Sequence, residues 1–187
     1  MGDPEPPIPS LVWIRVERAG DPDEVAAIRA VQVAAFPTHA EAKLLDALRA
    51  SGDYDPAWSL VAELDGEVVG HCLLTATSLE RRDGSRVVGR VLALGPIAVV
   101  PARQRQRIGA KLMHAALELC ERGGAAAIVL LGHPTYYARF GFGPARAQGL
   151  VPPAPWPDEA WMAHRFPAST QDDVGVVRYA RPFMEMD

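Results

Sequence analysis

Five consecutive residues, Arg103-Gln104-Arg105-Gln106-Arg107, make a basic, polar turn, and Gly109 follows close behind. After the turn Ile108, Leu112, Ala115, Ala116 and Leu119 recur at helical spacing, so the arginines stand at a helix N-terminus. Unpaired amides and the positive end of the helix dipole favour an anion there, and guanidinium groups add charge. The chemistry offered is phosphate binding; the plainer alternative is a solvated helix start. Ahead of the turn lies an apolar run, Val91 to Val100, interrupted by Gly95-Pro96. Proline cannot donate to a ladder, so a Gly-Pro pair inside a strand marks a bulge or a place where two strands part.

These residues need elements to position them. Val91–Val100 reads as a buried strand, the helix stops at Gly123-Gly124, and Ala126–Leu131 reads as a second buried strand. A short Tyr-rich turn-helix then ends at Gly141. Upstream, Leu11–Glu17 alternates as a first strand. Asp21 and Pro22 start a helix to Ala35, Phe36-Pro37 breaks it, and Thr38 caps a second helix ending at Ser51-Gly52. Ser59–Leu64 and Glu67–Leu74, continuing through Leu79, form a hairpin around Asp65-Gly66. Arg81–Ser85 turns into the central strand. Beyond Phe142 the prolines at 152, 153, 155 and 157 keep the chain extended, with late strands at Trp161–Phe166 and Gly175–Tyr179. The order β-α-α-β-β-β-α-β-α-β-β is an α/β layered domain with a largely antiparallel sheet.

The chain has 187 residues, 49% of them hydrophobic and 22% charged, which describes an ordinary globular domain. Residues 1–10, MGDPEPPIPS, read as a flexible lead-in without the apolar core of a signal peptide, and residues 11–187 as one domain. A net charge of −4 gives no reason to expect nucleic acid or an anionic membrane as partner. The basic turn is local against that background and suits a small anionic ligand. Cys72 and Cys120 lie far apart, and His39, His133 and His164 have no ligand spacing, so neither a metal site nor a disulfide framework is expected. A reduced, cytoplasmic setting is the default.

The segment Pro101–Leu112 resembles the acyl-CoA-binding motif of the GNAT superfamily of N-acetyltransferases, Q/R-x-x-G-x-G/A, with Gln104 and Gly109 matching it. Tyr137-Ala-Arg-Phe-Gly-Phe142 resembles the superfamily's Y-x-x-x-G-F signature. The phrase LGHPTYYARFGF resembles a bacterial subgroup of predicted GNAT acetyltransferases. Two motifs at the expected separation make a specific signal; either alone is weak. Arg107 replaces the first motif glycine, and it can offer its amide if its φ is negative.

The resemblance implies a GNAT-like mixed sheet flanked by helices, with a bulged, splayed central strand and acetyl-CoA as cosubstrate. The pantetheine arm would pair with Ile97, Ala98 and Val99. Gln104 would belong to the cofactor site as the motif's first residue, and the pyrophosphate would sit on amides between Arg105 and Ala110, those of Arg105, Gln106, Arg107, Ile108, Gly109 and Ala110. An amide near Ala98 or Val99 would hold the oxyanion, and Tyr137 would act as the acid toward the leaving thiolate, with Tyr136 as the alternative; adjacent residues of a short helix point in different directions. No carboxylate lies between Val91 and Val100, which leaves Glu63, Glu80 and His71 as candidates for a water-mediated base. The implied reaction is direct acetyl transfer to a primary amine of a small molecule, peptide or protein, by a monomer or homodimer. Ala35–Ala50 and residues 150–160 would wall the acceptor groove, and Glu41, Asp46, Asp53 and Asp55 would attract a cationic amine. The rival reading is a non-catalytic acyl-CoA-binding sensor.

Overall fold

The computed structural model describes residues 11–185; the lead-in expected at residues 1–10 lies outside that range. Strand β1 (Trp13–Val16) is followed by helix α1 (Pro22–Ala35). Asp21 caps α1 as its type and place demand, its carboxylate accepting from the amides of Asp23 (3.0 Å) and Glu24 (3.3 Å). Helix α2 (Ala40–Ser51) departs from expectation: His39, not Thr38, holds the N-cap position and makes no side-chain cap bond. Thr38 stands one residue too early to reach the second or third helical amide, and its hydroxyl meets only the Ala40 N–H at 3.4 Å.

Strands β2 (Ser59–Leu64) and β3 (Glu67–Glu80) are joined by Asp65 (φ 53°) and Gly66 (φ 84°). Two left-handed residues make the tight turn whose twist matches a hairpin. Strand β4 (Arg86–Val99) is longer than its apolar core, because main-chain pairing with β3 continues past the buried residues. Helix α3 (Ile108–Arg122), strand β5 (Ala127–Leu131) and the single-turn helix α4 (Pro134–Tyr137) complete the central unit. Then come β6 (Gly143–Pro144), β7 (Leu150–Val151), β8 (Trp161–Arg165), β9 (Gly175–Arg178) and α5 (Arg181–Met184). Strands β6 and β7 and helix α5 add to the expected order; two-residue strands and one-turn helices carry no period that a sequence can display.

The strands form one mixed sheet in the order β1-β2-β3-β4-β5-β8-β6, with β9 beside the far end of β3 and paired to β7. All pairs are antiparallel except β4–β5 and β7–β9. Successive side chains of a strand face opposite sides. Cys72 and Leu74 of β3 accordingly pack with Leu112 and Met113 of α3, while Leu73 between them packs with Ile28 of α1 and Leu45 and Leu48 of α2. The result is helices on both faces of a largely antiparallel sheet.

A third cluster centres on Trp161, fully buried, whose indole N–H donates to the Leu150 carbonyl at 2.9 Å. Trp156 and Tyr179 pack around it at 5.4 and 6.2 Å between ring centroids. Trp161→Ala is expected to lower unfolding free energy by about 3–5 kcal/mol, the usual result of emptying a core aromatic site. Trp161→Phe is expected to lose about 1–3 kcal/mol through the orphaned carbonyl. Urea denaturation of both variants measures the difference.

Candidate active site

The site begins as a defect in the sheet. On β3 Cys72 pairs with Ile97 and Leu74 with Leu94, so Gly95 and Pro96 together stand opposite Leu73 alone. That extra residue is the bulge the Gly-Pro pair marks in the sequence, and the Gly95–Pro96 peptide is cis. On the other edge of β4 only Val91, Leu92 and Ala93 pair with β5. From Leu94 to Val99 that edge has no strand partner among the described residues, so β4 and β5 part and leave main-chain groups open to a guest.

Ladder alternation decides which groups those are. The Val100 N–H donates to the Val69 carbonyl at 3.0 Å, and antiparallel pairing alternates along the strand. Ala98 therefore turns its amide to β3, while Ile97 and Val99 turn theirs to the open edge. Of the three residues expected to meet a strand-like guest, Ile97 and Val99 offer main-chain groups and Ala98 does not. The Val99 carbonyl is taken by the Gln104 side-chain amide at 3.0 Å, which tethers the basic turn to the end of β4.

The turn enters α3 by an unexpected backbone route. Arg105 has φ 61° and Arg107 φ 63°, so Arg107 does not meet the condition of a negative φ. Arginine at 107 takes the left-handed form that the motif glycine takes without steric cost. Alternating left-handed residues gather successive N–H groups around a concavity suited to anions, and strain of this kind concentrates at binding sites. Among the described residues no side chain caps α3, whose first amides, at Ile108, Gly109 and Ala110, have no intrahelical acceptors.

Across from this wall stands α4. Tyr136 and Tyr137 diverge, their rings 81° apart with centroids at 4.9 Å. The Tyr136 hydroxyl lies over Gly109, 3.2 Å from where a Cβ would sit there. Tyr137 turns inward, its ring edge-on to Phe142 at 5.9 Å and so close to Gly132 that a Cβ at 132 would overlap it. Burial, the Cys72 thiol and the neighbouring Tyr136 push the Tyr137 hydroxyl up to about 12. Its proton therefore stays in place through the physiological range. Arg139 closes the wall with its guanidinium stacked 4.1 Å from the centre of the Tyr136 ring.

Together these walls enclose a cleft of about 590 Å³. It is lined by Ile97, Ala98, Val99, Gln104, Arg105, Arg107, Ile108, Gly109, Ala110 and Tyr137 of the expected site, and by Tyr136. Gln106 is not on it; its side chain folds back to the Ala102 carbonyl at 3.3 Å. Arg103 and Arg139 line the cleft beyond the expected contacts. Arg139 had a legible signal, a cation three residues after Tyr136 and hence on the same helical face.

The candidate bases do not converge on the cleft. His71 is wholly buried on the opposite face of β3, between Gln32 Nε2 (2.9 Å) and Ser59 Oγ (3.0 Å). Burial, and secondarily Arg49, depress its pKa to about 3, so it is a neutral structural group. From Ser59 the hydrogen bonds run on through Tyr54 to Glu17 and Arg49. Glu63 pairs with Arg15 at 2.7 Å, and Glu80 with Arg178 at 2.9 Å. The acidic residues of α2 and its exit also disperse: Asp46 pairs with Arg29, Asp53 accepts from Ser51, and Asp55 caps a short turn at 56–58. Glu41 differs, with a buried carboxylate oxygen that has no hydrogen-bond partner among the described residues.

A sequence profile of the acetyltransferase (GNAT) family matches residues 25–142. The chain is 33% identical over 166 residues to the uncharacterized N-acetyltransferase YjhQ of Escherichia coli K12, covering 87% of this chain and 90% of that protein. Its fold superposes on the crystal structure of the GNAT-family N-acetyltransferase YhbS from Escherichia coli in complex with CoA. The TM-score is 0.81 and the identity 26%, over 100% of this chain and 98% of that one. A GNAT-family acetyltransferase from Brucella melitensis, solved in complex with acetyl-CoA, has a TM-score of 0.71 and 32% identity over 92% of this chain and 98% of that one. The chain belongs to the GNAT family of acetyltransferases.

Proposed function

We propose that the protein moves an acetyl group from acetyl-CoA to a primary amine by direct transfer. The observation that carries this reading is the parted edge of β4 running straight into the uncapped N-terminus of α3. One end of the cleft offers strand-like pairing to an amide-bearing arm, and the other offers amides and guanidinium groups to a pyrophosphate. A charge-assisted hydrogen bond contributes roughly 1.5–3 kcal/mol, so several together hold such a ligand firmly. The kinship with proteins solved bound to CoA and acetyl-CoA supports the same assignment.

Acetyl-CoA supplies an acetyl group already activated as a thioester. The outward amides of Ile97 and Val99 are placed to stabilise negative charge developing on the carbonyl oxygen as an amine nitrogen attacks. The Tyr137 hydroxyl is the donor for the sulfur. Because its pKa stands near 12, above the roughly 8.5 of an ordinary thiol, Tyr137 assists by donating a hydrogen bond to the departing thiolate. The carbon–sulfur bond breaks, the carbon–nitrogen bond forms, and the proton shed by the amine balances the charge on the thiolate through solvent.

The test is thiol release from acetyl-CoA over a panel of primary amines: small polyamines, peptides with free N-termini, and lysine-containing peptides. Amine-dependent release with one acetylated product per thiol is the expected result. Tight acetyl-CoA binding without release on any class of amine would overturn the transferase reading in favour of a sensor.

A further inference from the structure

We infer that Arg139 reads the 3′-phosphate of the cosubstrate, which makes it the residue that distinguishes CoA thioesters from their 3′-dephospho counterparts. The inference rests on the acetyl-CoA reading above and adds a second anion subsite to it.

The cleft is lined by four guanidinium groups, those of Arg103, Arg105, Arg107 and Arg139. None of them pairs with a carboxylate among the described residues, although twelve ion pairs are formed elsewhere in the chain. In an acidic protein, four uncompensated cations around one cavity call for an anion of comparable charge. Acetyl-CoA carries about four negative charges near neutral pH, two on the pyrophosphate and close to two on the 3′-phosphate monoester.

The four arginines are not equivalent. Arg103, Arg105 and Arg107 belong to the wall that carries the α3 amides, where the pyrophosphate is best held. Arg139 stands on the facing wall, built from α4 and the turn after it. Its guanidinium packs against two aromatic rings, 4.1 Å from the centre of Tyr136 and 4.8 Å from that of Phe140. The Tyr136 hydroxyl in turn lies over Gly109. Stacking leaves the edge of the guanidinium fork, with its N–H groups, free for a bidentate contact to a phosphate. The 3′-phosphate is set apart from the pyrophosphate by the ribose ring and presents a second anion beside the first. A fixed cation on the opposite wall meets that geometry.

Isothermal titration of the full-length protein with CoA and with 3′-dephospho-CoA, at fixed ionic strength, tests the assignment. Wild type is expected to bind CoA about tenfold more tightly than dephospho-CoA, the scale of one exposed, salt-screened phosphate contact. Arg139→Ala should bind the two ligands equally, with its dephospho-CoA affinity matching that of wild type. Arg139→Gln, which keeps a planar group on Tyr136 without the charge, should behave the same way. Equal binding of both ligands by wild type would overturn the 3′-phosphate assignment while leaving the acetyl-CoA reading intact. So would a parallel loss of both affinities in Arg139→Gln, which would place the contact at the pyrophosphate. Failure of wild type to bind either ligand would overturn both readings.

Discussion

Gly109→Glu abolishes acetyl-CoA binding, a loss expected to exceed 100-fold in Kd by titration calorimetry. Three effects converge at this position. Even a Cβ there comes within 3.2 Å of the Tyr136 hydroxyl, so the facing wall must give way before the rest of the side chain is placed. The added carboxylate then stands at the proposed pyrophosphate site and repels an anionic ligand. Gly109 also contributes one of the three free amides at the start of α3, and a bulky neighbour obstructs all three. Losing two contacts of roughly 1.5–3 kcal/mol each suffices for the expected factor. Gly109→Ala is the graded control: a Cβ at that distance asks Tyr136 to move by a few tenths of an ångström, and a several-fold loss follows. Folding is expected to be unaffected in both, since the residue lies in the first turn of a helix anchored by Ile108, Leu112 and Met113. Circular dichroism and urea unfolding check this. Retained binding in Gly109→Glu would refute the placement of the pyrophosphate.

Tyr137→Phe lowers kcat on the order of 10–100-fold, the range for losing one donor to a developing charge, and leaves acetyl-CoA affinity within about twofold of wild type. The substitution removes the hydroxyl alone. The ring keeps its seat against Gly132 and Phe142, so a fall in turnover cannot be ascribed to repacking. Its pH behaviour adds a second readout. In the proposed mechanism the active form is the protonated phenol, and its pKa is raised to about 12 by burial first and by Cys72 and Tyr136 after it. The rate in wild type therefore shows no loss as pH rises through about 10, where an ordinary tyrosine titrates. Tyr136→Phe separates the adjacent residue: its hydroxyl lies over Gly109, beside the proposed pyrophosphate site, so any effect is expected in affinity and not in turnover. An unchanged kcat in Tyr137→Phe would remove that residue from the mechanism.

Much of this site was legible in residue order because its parts are local. Gly95-Pro96 marks a bulge wherever it interrupts a strand, and a basic turn ahead of a 3.6-residue apolar period is a helix start whatever surrounds it. Asp65-Gly66 and Asp21-Pro22 likewise specify a hairpin and a helix N-terminus through backbone preferences of the residues themselves. The less legible features depend on partners distant in the chain. Glu63, Glu80 and His71 are equally plausible bases in the sequence, yet each is claimed elsewhere, by Arg15, by Arg178 and by a buried polar chain from Gln32 to Glu17. Residue type says that a group can titrate; only packing says whether it meets water or substrate.

What the sequence determined by itself is the basic turn, the bulge ahead of it and the helix behind it, together with the two tyrosines further on. What only the tertiary structure decided is how they face one another. Strand pairing that stops at Ala93 opened the edge of β4, and ladder alternation selected Ile97 and Val99 over Ala98 to present their amides. Arg105 and Arg107 adopted left-handed backbone, a form that glycine enters without steric cost and arginine does not. The fold of α4 against α3 set the Tyr136 hydroxyl over Gly109, turned Tyr137 toward Gly132 and Phe142, and brought Arg139 to the cleft that the arginine turn lines. Those outcomes depend on contacts between segments some 30 residues apart in the chain, where no local preference operates and packing alone chooses.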